Sequence, residues 1–94
     1  MVSLDQQSGV YIVGEKVTIT CTVTGDDRYR TFYFYKDNNP LYSSVISTRD
    51  KSVTYTVTGV NIRGDYECRY GYSIKGRRLE SEFSNVVTPT LAGK

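Results

Sequence analysis

The sequence predicts an all-β fold, a sandwich of two antiparallel sheets, and three observations lead there. Roughly seven or eight short strand-like runs are separated by turn signals about every eight to twelve residues, the rhythm of a sandwich or barrel. Tyr, Thr and Val dominate, with no Trp and no His, and such β-branched and aromatic side chains suit a pleated, half-buried surface. Cys21 falls in the second run and Cys68 in the penultimate one, each on the apolar face of its strand, where two packed sheets can be bridged. The 94 residues are enough for one core and too few for two. A single domain is therefore read over residues 1–91. Met1 reads as a start residue added to an excised fragment, and 92–94 (Ala92-Gly93-Lys94) as an appended tail.

Val2 to Leu4 and Val10 to Val13 read as a split first strand, interrupted by Gln6-Gln7-Ser8-Gly9. After a turn at Gly14-Glu15-Lys16 comes the clearest alternation: Val17, Ile19, Cys21 and Val23 on one face, Thr18, Thr20, Thr22 and Thr24 on the other. Gly25 to Arg30 is a polar loop, and Thr31 to Lys36 an aromatic strand. Asp37-Asn38-Asn39-Pro40 is a turn, Leu41 to Ser47 a strand, and Thr48 to Lys51 another turn. Val53, Tyr55 and Val57 alternate with Thr54 and Thr56 in a further strand, and Gly59 to Gly64 is a connection. Asp65 to Ser73 is a strand carrying Tyr66, Cys68, Tyr70 and Tyr72 on one face, with Tyr66, Tyr70 and Tyr72 expected in the core. Ile74 to Arg77 makes the last hairpin, and Arg78 to about Leu91 is the final strand, with Pro89 suited to an edge.

The cysteines carry a compartment as well as a position. The sequence has no His and no close cysteine pair, so a metal site is not expected. A disulfide closing so long a loop would add about 4 kcal/mol in the chain-entropy treatment and needs an oxidising compartment, outside the cell or on its surface. Two buried free thiols in a cytosolic protein are the other reading of the same pair. The formal charge of +2 is too small to suggest nucleic acid. No apolar run approaches the ~20 residues of a membrane helix, so this stretch is expected to make no membrane contact.

Gly64-Asp65-Tyr66-Glu67-Cys68 resembles the immunoglobulin "G-x-Y-x-C" pattern, in which the Tyr before the second Cys forms a tyrosine corner. With Val17-Thr18-Ile19-Thr20-Cys21 upstream, the resemblance spans roughly Val2 to Leu91. It implies an immunoglobulin-like Greek-key sandwich with one inter-sheet disulfide, Cys21–Cys68, and Tyr66 bonded back to the preceding turn. Two departures narrow it. Phe34 stands near the place of the usual core Trp, and Ile62 stands where an Asp is common. The chain is also too short for the extra strands of a variable domain, so a constant or intermediate type is expected. The aromatic strand leading into Lys36-Asp37-Asn38 resembles the "x-L-Y-K-x-G" segment of leukocyte receptor domains. Tyr66-Glu67-Cys68-Arg69-Tyr70 is similar to their "Y-x-C-R-Y", and Ser81-Glu82-Phe83-Ser84-Asn85 resembles their "W-S-x-x-S" in degenerate form, with Glu80 at the Trp position. This resemblance to Fc-receptor-like and killer-cell or leukocyte immunoglobulin-like receptors implies a protein ligand, an immunoglobulin Fc or an MHC class I-like molecule. It also implies adjacent immunoglobulin domains in the parent chain. Anchoring and signalling elements would lie outside the fragment, in a single-pass receptor or a secreted parent. The alternative is a structural or adhesive domain of a cell-adhesion protein.

Two surfaces are candidate ligand sites. The loops after the second and penultimate strands should meet at one end, bringing Arg28, Tyr29 and Arg30 to Lys75, Arg77 and Arg78. Tyr and Arg are enriched at binding hot spots, although Asp26 and Asp27 neutralise part of that charge and a merely solubilising role is the plainer reading. Alternation turns Phe34 and Phe32 inward with Val17 and Ile19, and so turns Tyr33 and Tyr35 outward beside Glu67 and Arg69. That face would suit a ligand or a neighbouring domain, or the tyrosines simply stabilise the sheet. Arg63-Gly64-Asp65 spells an integrin-recognition tripeptide, but in a turn already committed to structure. No catalytic constellation is legible: without His the usual proton shuttle is missing, and no cofactor is expected. The acids Asp26 and Asp27 are thin grounds for calcium, and Asn38, Asn39, Asn61 and Asn85 all fail the N-glycosylation pattern.

Overall fold

The computed structural model describes residues 2–6, 10–12, 14–25, 28–41, 45–57 and 62–91. Its strands are β1 (Val2–Gln6), β2 (Val10–Tyr11), β3 (Val17–Val23), β4 (Arg30–Lys36), β5 (Asn39–Pro40), β6 (Ile46–Thr48), β7 (Ser52–Val57), β8 (Tyr66–Ile74), β9 (Arg77–Glu80) and β10 (Thr90–Leu91). One antiparallel sheet runs β1-β3-β7, and a second runs β5-β4-β8-β9 with β6 also on β4. A short parallel pair, β2 with β10, lies beside them. The chain therefore enters the first sheet at β1, β3 and β7 and the second at β4 and β8.

The threonine-alternating run folds as expected. β3 buries Val17, Ile19, Cys21 and Val23 and turns its threonines outward, where Thr18 and Thr22 share hydroxyl bonds with Thr56 and Ser52 of β7. In the facing sheet β4 buries Phe32 and Phe34. The disulfide Cys21–Cys68 joins β3 to β8 across the sandwich, with Cα atoms 6.3 Å apart. Phe34 lies opposite Cys68 in register. Its ring stacks on Tyr55 of β7 with centroids 5.4 Å apart. A smaller ring in the usual Trp place is thus completed by a tyrosine from the other sheet.

The tyrosine corner is present. Tyr66 is fully buried, and its hydroxyl donates to the Ile62 carbonyl at 2.6 Å. Ile62 is itself 1% exposed. An apolar side chain in the place of the common Asp joins the core directly, and burying one of this size is worth about 1.5–3 kcal/mol. Both hairpin turns use positive φ, at Asp37 (51°) and Asn38 (68°), and at Lys75 (50°) and Gly76 (80°). Paired left-handed residues match the twist of the flanking strands, the reason two-residue hairpins favour Asn and Gly.

Four expectations are corrected. The strand read over Leu41 to Ser47 is, among the described residues, only β6 at Ile46–Thr48; β5 begins earlier, at Asn39, and Leu41 N–H bonds to the Phe34 carbonyl. The final strand is broken. Between β9 and β10 the chain leaves regular pairing, because Ser81 and Ser84 use their hydroxyls to accept from the backbone N–H groups of Tyr70 and Cys68. Their own N–H groups bond to the carbonyls of the same two residues, so each side chain replaces one ladder acceptor. Arg30, read as a loop residue, opens β4 and is 2% exposed. Tyr72, read as core, is half-buried near the end of β8, and Tyr70 packs against the core without being wholly inside it. Val13, Asp26, Asp27, Gly59, Asn61 and the 92–94 tail lie outside the described residues.

Asn85 ties the broken segment to the opposite sheet. Its side-chain amide accepts from Leu4 N–H at 2.8 Å and donates to the Leu4 carbonyl at 2.9 Å. One side chain thereby satisfies both backbone polar groups of Leu4 at a sheet edge that would otherwise face solvent or another chain.

Candidate functional site

Strand alternation places Thr31, Tyr33 and Tyr35 on the outer face of β4. Antiparallel register sets Thr31 opposite Gly71, Tyr33 opposite Arg69 and Tyr35 opposite Glu67, and the next strand sets Ser73 opposite Arg78 and Gly71 opposite Glu80. The expectation that Tyr33, Tyr35, Glu67 and Arg69 share a face is met, and Arg78 joins them.

Hydrogen bonds and ring contacts tie the side chains of this face into two neighbouring clusters, one on Arg69 and one on Arg78. Arg69 Nε donates to the Tyr35 hydroxyl at 3.2 Å, and its guanidinium pairs with Glu80 at 2.9 Å. The same guanidinium lies over the Phe83 ring at 4.6 Å, and Phe83 meets Tyr35 edge-on at 5.1 Å. Arg69 is therefore held by one acid and two rings, with 27% of its side chain still exposed. Higher on the sheet, Arg78 donates to the Tyr33 hydroxyl. It reaches there across Gly71, where any Cβ would fall 2.5 Å from its guanidinium. The bare glycine is what lets the side chain lie flat on the strand.

Two grooves adjoin these clusters, one lined by Arg78 and the other by Tyr33. The first, about 310 Å³, is lined by Arg28, Tyr29, Thr31, Tyr72, Ser73 and Arg78. In it the Arg28 guanidinium stacks over Tyr72 at 4.9 Å. The second, about 240 Å³ and more apolar, is lined by Tyr33, Tyr35, Pro40, Leu41, Val45 and Glu80.

The predicted basic tip is therefore partly assembled. Arg28, Tyr29 and Arg78 meet in one groove. Lys75 and Arg77 are exposed on the hairpin beyond it and take no part in its lining. Arg30 is a correction: its guanidinium packs inward over Tyr70 at 5.0 Å, so it presents nothing at the surface. Glu80, Phe83 and Gly71 belong to the face, Tyr72 lines the groove from the other side of β8, and none of the four was foreseen as a site residue. Alternation along β9 could have placed Glu80 beside Arg78; nothing in the pattern could have placed Phe83, because its segment has no regular period.

The Arg63-Gly64-Asp65 tripeptide is locked. Asp65 N–H bonds to an Asp37 carboxylate oxygen at 2.9 Å, and its own carboxylate accepts from the Thr88 hydroxyl at 2.8 Å. Its carbonyl is also taken, by Asp37 N–H.

Among the described residues no helix is long and apolar enough to cross a membrane. A family model described as immunoglobulin domain matches residues 2–70. No curated protein matches the chain.

Proposed function

The chain belongs to the immunoglobulin domain family, and from that premise we propose that it is the ligand-binding module of a leukocyte immune receptor, using the outer face of β4, β8 and β9. Immunoglobulin domains generally serve as binding or structural modules, and a fold closed by an internal disulfide points to an extracellular setting. The observation that carries the reading is the contiguous Tyr33, Tyr35, Arg69, Arg78 and Phe83 surface. Its aromatic rings offer area at low entropic cost, and its guanidinium groups are already oriented. The ligand on this reading is a protein, an immunoglobulin Fc or an MHC class I-like molecule, bound without covalent chemistry. Adjacent domains would raise modest affinity through multivalency.

A second reading, a structural or adhesive domain, draws on a different surface. Val10 and Ile12 are 51% and 54% exposed on and just beyond β2, an apolar pair suited to a neighbouring domain. A binding screen of the domain with its flanking domains, against immunoglobulins and MHC class I-like proteins, separates the two. Capture of such a ligand, weakened in Tyr33→Ala and in Arg77→Ala/Arg78→Ala, is the expected result. Silence against both ligand classes would sink the receptor reading.

A further inference from the structure

The groove lined by Arg78 has a chemistry that says more about its ligand than an aromatic face alone. We infer that the Arg28–Tyr29–Tyr72–Arg78 groove is an acceptor site for an Asp or Glu side chain of a protein partner, with Arg78 making the contact and Tyr33 and Gly71 positioning it. The inference rests on the binding-module reading above and names the partner chemistry of that surface.

Arg78 carries it. A guanidinium has five N–H donors in a fixed fork, able to take a carboxylate two-pronged. One donor is engaged by the Tyr33 hydroxyl, which fixes the plane. Among the described residues no carboxylate pairs with Arg78, whereas Arg69 on the same face has Glu80 at 2.9 Å. An exposed arginine ordinarily loses much of its gain on binding to side-chain ordering. Here that ordering exists beforehand, because the guanidinium is laid across Gly71 and tied to Tyr33. The groove walls suit the rest of an acidic side chain. The rings of Tyr29 and Tyr72 can cover its methylenes, and Thr31 and Ser73 line the same space. Arg28 over Tyr72 adds a second positive charge to the wall. By contrast, Arg77 is exposed on the hairpin outside this lining. It supplies the same charge without the site.

The test is an NMR titration of the ¹⁵N-labelled domain with a terminally blocked hexa-glutamate peptide, with hexa-glutamine as the uncharged control. Saturable shifts of the Arg78 side-chain N–H and the Tyr72 and Ser73 amides are expected with the first peptide only. Arg78→Gln should weaken them about tenfold, while Arg77→Gln, an equal loss of charge, should stay within about twofold. Gly71→Ala should weaken them as well by displacing the guanidinium, and the spectra report whether each variant is folded. Equal weakening by Arg77→Gln and Arg78→Gln, or shifts centred elsewhere, overturns the site as diffuse electrostatics. Shifts at Arg78 with a sialylated trisaccharide and none with the peptide overturn the assignment to a protein side chain. A failed titration beside a retained, Tyr33-dependent protein ligand removes the carboxylate site alone. A successful titration with no ligand in the binding screen supports the site and removes the receptor reading instead.

Discussion

Tyr66 shows how one residue can hold a fold together and report on it. The phenol is fully enclosed, yet its hydroxyl has a carbonyl partner at Ile62, which makes burial of a polar atom tolerable. Removing the hydroxyl in Tyr66→Phe strands that carbonyl, and should cost about 1–3 kcal/mol in urea unfolding at neutral pH. Burial, with Tyr55, Asp37 and Tyr11 adding to it, pushes the phenol from 10.0 up to about 12. The folded chain thus holds this proton more tightly than the unfolded chain. The stability it contributes is whole below pH 10 and is lost as pH rises through about 12. The stability gap between the wild type and Tyr66→Phe should therefore narrow across that interval; a constant gap would contradict the account. This residue was legible in the sequence because its neighbours Gly64 and Cys68 mark it. Arg30 was not: a basic residue at a loop boundary gives no sign that its side chain will fold inward over Tyr70.

The irregular stretch between β9 and β10 works by side chains that imitate a strand. Ser84 is buried and accepts from Cys68 N–H, beside the disulfide, whereas Ser81 does the same for Tyr70 nearer the surface. Ser84→Ala should then destabilise by about 1–3 kcal/mol through an unpaired buried donor. Ser81→Ala should cost clearly less, since water can replace its hydroxyl. Thermal melts of the two variants decide this, and the reverse order would refute it. β3, β4, β7 and β8 could be read from the sequence because one face of each is buried and period-two alternation records that. The broken final strand could not. Its pairing passes in part through hydroxyl and amide groups, which leave no hydrophobic period, and the edge strands β5 and β6 are too short to show one. The outer face of β4 and β8 followed from the same alternation, but the reach of Arg78 across Gly71 depends on a missing Cβ that periodicity does not register.

At the scale of the whole molecule, a small sandwich is closed by one covalent tie between its sheets. Reducing Cys21–Cys68 should lower unfolding free energy by about 4 kcal/mol in the chain-entropy treatment, a large share of the total for a domain of this size. Denaturant titrations with and without a reductant measure it, and an unchanged midpoint would mean the core alone suffices. The molecule also presents two different surfaces, one aromatic and basic on β4, β8 and β9, the other apolar around Val10 and Ile12. On the proposed receptor reading the first meets the ligand and the second does not. The most direct measurement is the affinity of a captured immunoglobulin or MHC class I-like ligand for three forms: wild type, Tyr33→Ala/Arg78→Ala, and Val10→Ser/Ile12→Ser. The first variant should lose at least about tenfold in Kd, equal to about 1.4 kcal/mol, and the second should match the wild type. Full affinity in the first variant together with loss in the second would contradict the account.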